Sequence, residues 1–359
     1  MIRRAIAGAG TVVLSAVTLR LVADRAARRL LDAPRVGPDE GALGPALDAL
    51  GGEVVRIRSR DGLRLSARWL PAEAGSSDWA SDPHEAIVLL HGYTGSVAPD
   101  LVEYGPFLRS TAGVLGLDFR GHGESDDGPT TFGLREVEDV AGALAWLGSR
   151  GIRSVALVGT SMGGITAIAA VAVLGDGSLT SAEGGPDVAA GPIPAIRPRI
   201  VAVVADSVAT SSVVPVASRL PGPAPTLLAR RLFDSATRSL DGDPRATDPI
   251  RVIGLVDPVP VLLIHGEADT TVPIADGRRL AAAAGPASQH WVVPGADHSR
   301  AHATEPAAYE ARVTTFLRDA LASVRTEAPI IGAPGSDTDP DDHGPGDPDL
   351  YDPADPMED

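Results

Sequence analysis

Five stretches of this chain are short, continuous and apolar: "EAIVLLHG", "AGVLGLDFRG", "SVALVG", "PRIVAVVADS" and "PVPVLLIHG". Runs of this length and branching match strands buried on both faces of a parallel sheet. Helix-like segments separate them: Leu101 to Ser110, Leu134 to Leu147, Met162 to Leu174, Ala275 to Ala284 and Glu305 to Leu321. Strand and helix in alternation predict a doubly wound α/β sheet. Ahead of it, "EVVRIRSRDGLRLSARWLPA" alternates apolar and polar residues around Asp61-Gly62, which predicts an antiparallel hairpin with a two-residue turn. Two stretches break the alternation. Gly175 to Pro198, rich in Gly, Pro, Ser and Ala, reads as a long inserted loop. Thr210 to Val256 lacks a strand run and carries the helix-like "PTLLARRLFDSATRSL", which suggests a small cap over the sheet.

The two ends differ from this body. Residues 1–31 open with two arginines, then run uncharged from Ala5 to Leu19, then place Leu19, Val22, Ala23, Ala26, Ala27, Leu30 and Leu31 at helical spacing between arginines. That pattern suits an uncleaved membrane-attached segment, and the arginine balance would leave the remainder cytoplasmic. An exported protein is the alternative. Residues 32–52, with their glycines and prolines, read as a linker, and 53–325 as the folded domain, with the possible cap at 210–256. The last stretch, 326–359, ends in "SDTDPDDHGPGDPDLYDPADPMED" and reads as an acidic disordered tail.

Charge then changes little. The formal net charge of −16 over 359 residues is concentrated in that tail, whose final 24 residues hold ten acids and no arginine. An acidic chain gives no electrostatic footprint for nucleic acid. There is no cysteine and no lysine, so thiolate metal sites, a cysteine nucleophile, a Schiff-base lysine and a P-loop are excluded.

The chemistry centres on "LVGTSMGGITA", which puts Ser161 between Gly159 and Gly163 at the junction of an apolar run and a helix-like one. A serine hydroxyl becomes a useful nucleophile only when a base takes its proton, and it must protrude beyond the sheet edge. A sharp strand-to-helix turn achieves this, and the glycines make room for the crowded backbone. A base and an orienting acid should follow in the chain, each beyond a strand end. Asp269 follows the run ending at His265, and His298 follows "HWVVPGA". The order Ser161, Asp269, His298 is that of one convergent Ser-acid-His solution. His91, His122 and His265 are read as turn-holding residues, and Asp297 as pointing elsewhere.

With "LLHGYTGS" (Leu89 to Ser96), "LDFRGHGES" (Leu117 to Ser125), "GTSMGG", "LLIHGEADTTVP" (Leu262 to Pro273) and "VPGADH" (Val293 to His298) in this order, the chain resembles an α/β-hydrolase fold serine hydrolase, near the bacterial esterase, lysophospholipase and serine-aminopeptidase-like branch. The resemblance spans about Glu53 to Val324. It implies an α/β-hydrolase fold, a mostly parallel doubly wound sheet of about eight strands. In the motif His91-Gly92-Tyr93 it implies an oxyanion donor, the backbone N–H of Tyr93, paired with that of Met162. It also makes Asp206 the alternative acid, because some members of the fold take theirs after the preceding strand. The expected activity is carboxylic ester hydrolysis of a small-molecule acyl substrate through an acyl-enzyme, with no cofactor and no metal. Peptidase or aminopeptidase action and acyl transfer are the alternatives. A non-enzymatic scaffold is disfavoured because all three triad positions are filled.

Overall fold

The computed structural model describes residues 25, 32, 35, 40–73, 79–93, 95–174, 198–218, 225–237 and 242–327. The expectations for residues 1–31 (Arg25 apart), for the acidic tail from 328 and for nearly all of the loop at 175–198 lie outside them.

The sheet has eight strands: β1 (Glu53–Arg58), β2 (Arg64–Leu70), β3 (Glu85–Leu90), β4 (Gly113–Leu117), β5 (Ser154–Thr160), β6 (Arg199–Asp206), β7 (Val261–Gly266) and β8 (Gln289–Val293). Their order is β1-β2-β4-β3-β5-β6-β7-β8. The β1/β2 and β2/β4 pairs are antiparallel and all others parallel. The apolar runs are continuous because both faces are covered. In β5, Val155 and Leu157 enter one core layer, while Ala156 and Val158 enter the other.

The helices are α1 (Gly44–Leu50), α2 (Ala98–Leu108), α3 (Glu136–Ser149), α4 (Met162–Leu174), α5 (Val213–Ala217), α6 (Pro225–Thr237), α7 (Pro249–Val252), α8 (Ile274–Ala283), α9 (Ala301–Thr304) and α10 (Pro306–Glu327). Helices α3, α4 and α8 bury their apolar residues in one layer, α2 and α10 theirs in the other. The insertion at 210–256 is helical among its described residues. Val213, Val216, Ala229, Phe233, Val252 and Ile253 join the first layer. Asp248 ties down its ends by accepting hydrogen bonds from the Ser212 N–H at 2.9 Å and the Ser211 hydroxyl at 2.8 Å.

Two local expectations are corrected. The stretch 32–52 is not simply a linker: Glu40–Leu43 forms a 3-10 turn and α1 follows. Pro45, early in the helix, needs no intrahelical N–H partner, and Leu47 and Leu50 pack against the layer built by α2 and α10. The hairpin turn is longer than two residues. The Ser59 N–H still reaches the Leu63 carbonyl at 2.9 Å, which leaves Arg60, Asp61 and Gly62 as the loop. Gly62, at φ +97°, takes the left-handed position that three-residue loops require.

Candidate active site

The junction of β5 and α4 forms the turn expected around Ser161. Its φ is +50°, a left-handed value that costs a serine about 1–3 kcal/mol. The turn is fastened on both sides: the Ser161 N–H donates to the Asp206 carbonyl at 2.8 Å, and the Ser161 carbonyl accepts from the Ile165 N–H at 3.0 Å. The glycines are required by close approach rather than by dihedral freedom. A methyl group on Gly159 would strike the carbonyl of Gly163, and one on Gly163 would strike the carbonyl of Leu90.

Folding brings the three candidate residues into one hydrogen-bonded chain. His298 Nε2 lies 3.0 Å from Ser161 Oγ, and His298 Nδ1 lies 2.8 Å from Asp269 Oδ2. The Asp269 side chain is fully buried, and that of His298 is 17% exposed. The other Asp269 oxygen accepts the Thr271 and Val272 N–H groups at 2.8 and 2.7 Å, so the carboxylate cannot swing away. A carboxylate offers only acceptors, so Nδ1 must carry the proton and Nε2 presents its lone pair to the serine hydroxyl.

Asp206 does not take the acid position. Its Oδ1 accepts the Ser207 hydroxyl at 2.9 Å, and its Oδ2 has no hydrogen-bond partner among the described residues. Burial pushes its carboxyl up to about 7. Asp297 accepts the N–H and hydroxyl of Thr270 and the N–H of His298, while the two imidazole nitrogens lie against Asp269 and Ser161.

The loop at His91-Gly92-Tyr93 lies beside the serine: a Cβ on Gly92 would sit 4.0 Å from the Ser161 Cβ. His91 receives the Phe119 N–H on Nε2 at 3.1 Å and therefore donates from Nδ1 to the Gly92 carbonyl at 2.6 Å. Burial, with His122 beside it, lowers its pKa to about 3, so it stays neutral. His122 Nε2 lies 2.6 Å from the Tyr93 carbonyl, and His265 Nε2 lies 2.9 Å from that of Val272. Each of the three histidines thus bonds a backbone carbonyl. Met162 is the first residue of α4, where N–H groups have no intrahelical partner. Among the described residues no cluster of three or more His, Asp or Glu is arranged to hold a metal ion.

Sequence reading missed the aromatic support of this loop. The Phe132 ring stacks on Tyr93 with centroids 5.2 Å apart and an interplanar angle of 13°, and the Phe233 ring of α6 lies tilted at 56° to Phe132 with centroids 6.0 Å apart. Phe132 has φ +53°. The fully buried Glu136 holds it there, its carboxylate accepting the Thr131 N–H at 2.6 Å, the Thr131 hydroxyl at 2.7 Å and the Gly133 N–H at 2.8 Å. The only sequence signal is an acid just inside a predicted helix start, which ordinarily reads as a surface cap.

Comparison with known proteins agrees with this architecture. Residues 87–312 match the model of the alpha/beta hydrolase family. This chain belongs to that family. It is 27% identical over 290 residues to the uncharacterized protein YfhR of Salmonella typhi, covering 79% of this chain and 84% of that protein. YfhR of Escherichia coli K12 is 26% identical over the same length, covering 86% of that chain. Among solved structures, the Pyrococcus furiosus esterase Pf2001 superposes with a TM-score of 0.56 at 21% identity, covering 80% of this chain and 97% of that one. The alpha/beta hydrolase GrgF of Penicillium superposes with a TM-score of 0.54 at 19% identity, covering 76% and 100%. These likenesses establish the fold.

Proposed function

We propose that the protein is a serine hydrolase that cleaves small-molecule carboxylic esters through an acyl-enzyme. The observation that carries this reading is the single imidazole bridging Ser161 Oγ at 3.0 Å and Asp269 Oδ2 at 2.8 Å. In the first step His298 Nε2 takes the Ser161 proton as the hydroxyl oxygen attacks the ester carbonyl. The Tyr93 and Met162 N–H groups receive the oxyanion, and losing one such donor typically costs about 3–4 kcal/mol of transition-state stabilisation. His298 then gives its proton to the departing alkoxide, leaving the acyl group on Ser161. In the second step His298 removes a proton from water as its oxygen attacks the acyl carbon, then returns that proton to Ser161 Oγ as the acyl–oxygen bond breaks and the acid departs. Asp269 keeps the imidazole in the right tautomer and stabilises the imidazolium that forms in each step.

The apolar, arginine-flanked residues 1–31 would bring this domain to a membrane surface from the cytoplasmic side. Among the described residues no helix is long and apolar enough to cross a membrane. Flotation of the full chain with vesicles containing anionic phospholipid tests this part, and a chain that stays at the bottom of the gradient contradicts it.

Activity is tested with p-nitrophenyl esters of increasing acyl length. Hydrolysis by the wild-type protein that disappears in Ser161→Ala is the expected result. Equal hydrolysis by both would overturn the reading.

A further inference from the structure

Four described residues other than glycine have positive φ: Phe132, Ser161, Ser207 and Ser299. Phe132 braces the loop of Tyr93, and Ser161 is the proposed nucleophile. Ser207 and Ser299 have no assigned role, yet they touch each other. Serine is penalised in the left-handed region and glycine is not. Keeping serine at φ +57° therefore indicates that the hydroxyl of Ser207 is what the site gains.

That hydroxyl both donates and accepts. It donates to Asp206 Oδ1 at 2.9 Å and accepts the Ser299 N–H at 2.9 Å. Ser299 follows His298 directly, so the second bond fixes the turn from which the imidazole projects. The Ser207 N–H is anchored on the Ile264 carbonyl at 2.9 Å, and the adjoining Asp206 carbonyl receives the Ser161 N–H at 2.8 Å. Asp206 and Ser207 are each only 1% exposed. One dipeptide at the end of β6 thus grips the turn of the serine through its backbone and the turn of the histidine through its side chains.

We propose that Ser207 is a positioning residue: its hydroxyl, aimed by Asp206, sets the distance between His298 and Ser161. The proposal rests on the serine hydrolase reading above. It gives Asp206 a use other than the acid role considered for it, since its carboxylate orients the Ser207 hydroxyl so that the lone pair faces Ser299. A misplacement of about 1 Å at a reacting pair costs roughly 100-fold in rate.

The test compares wild-type protein, Ser207→Ala and Ser207→Gly, all full length. It measures the rate of phosphonylation by a fluorophosphonate, kcat and KM for p-nitrophenyl acetate, and the unfolding temperature. Both variants lose the hydroxyl, but glycine also removes the left-handed penalty. The proposal expects phosphonylation and kcat to fall together by roughly 10- to 100-fold in both variants, with KM changed less than about twofold. It expects this loss in Ser207→Gly even where that variant melts no lower than wild type. A Ser207→Gly protein phosphonylated at the wild-type rate would overturn the proposal while leaving the hydrolase reading intact. A folded wild-type protein inert to the probe and to esters would overturn the parent reading, and this one with it.

Discussion

His298 Nε2 stands 3.0 Å from Ser161 Oγ although the two residues lie 137 positions apart in the chain. The separation is bridged by the sheet. Ser161 projects from the carboxyl end of β5 and His298 follows β8, with β6 and β7 lying between them. Asp269 follows β7, the strand beside β8, and so reaches the far nitrogen of the same ring.

The acid assignment predicts a contrast between two carboxylates. Asp269→Asn should lower kcat by about 10⁴-fold, because an amide stabilises the wrong tautomer. Asp206→Asn keeps an oxygen for the Ser207 hydroxyl and should stay within about tenfold of wild type. Steady-state kinetics on both variants checks this, and similar losses would contradict it.

Asp206 also predicts a pH-dependent stability difference. Burial raises its folded pKa from 3.8 to about 7, so the folded state holds the proton more tightly than the unfolded chain does. Its contribution is fully present below pH ~4 and is lost as pH rises through about 7. Asp206→Asn removes that dependence. The variant should gain on wild type between pH 4 and 8, by at most about 4 kcal/mol at 1.36 kcal/mol for each unit. Urea unfolding at both pH values reads the difference, and parallel curves would contradict it.

At the elbow, Gly163→Ala should destabilise the fold by roughly 2–4 kcal/mol and reduce labelling of Ser161, since the added methyl runs into the backbone carbonyl of Leu90. Thermal unfolding and probe labelling report the two effects separately.

Glu136→Gln should cost about 2–3 kcal/mol. Its carboxylate accepts two N–H groups and a hydroxyl in a fully buried place, and an amide nitrogen must turn a donor toward one of them. Denaturant unfolding measures it, and a neutral result would mean that Phe132 keeps its left-handed conformation without the carboxylate.

Much of this was legible in the sequence because it repeats or has fixed spacing. Strands covered on both faces leave continuous apolar runs, and the glycines around Ser161 mark a crowded turn. Asp269 and His298 could be found because each follows an apolar run that ends at the sheet edge. What was missed depends on contacts between residues distant in sequence. Leu47 and Leu50 lie in a stretch whose glycines and prolines suggest a linker, and only packing against the core layer of α2 and α10 makes α1 a helix worth forming. Ser207 and Phe132 carry no local pattern, and Glu136 reads as an ordinary acid near a helix start. Their importance comes from a left-handed backbone and from Ser299, Tyr93 and Thr131 as partners. Ser299 and Tyr93 lie 92 and 39 positions from the residues they engage, and Thr131 is part of an irregular turn rather than of a periodic element.

The most direct measurement is peptide mass analysis of the full-length protein after treatment with a fluorophosphonate, alongside Ser161→Ala. One phosphonyl adduct is expected, on Ser161, absent from the variant. A folded wild-type protein that forms no adduct with this probe or with a smaller phosphonylating one, or an adduct that persists in Ser161→Ala, would contradict it.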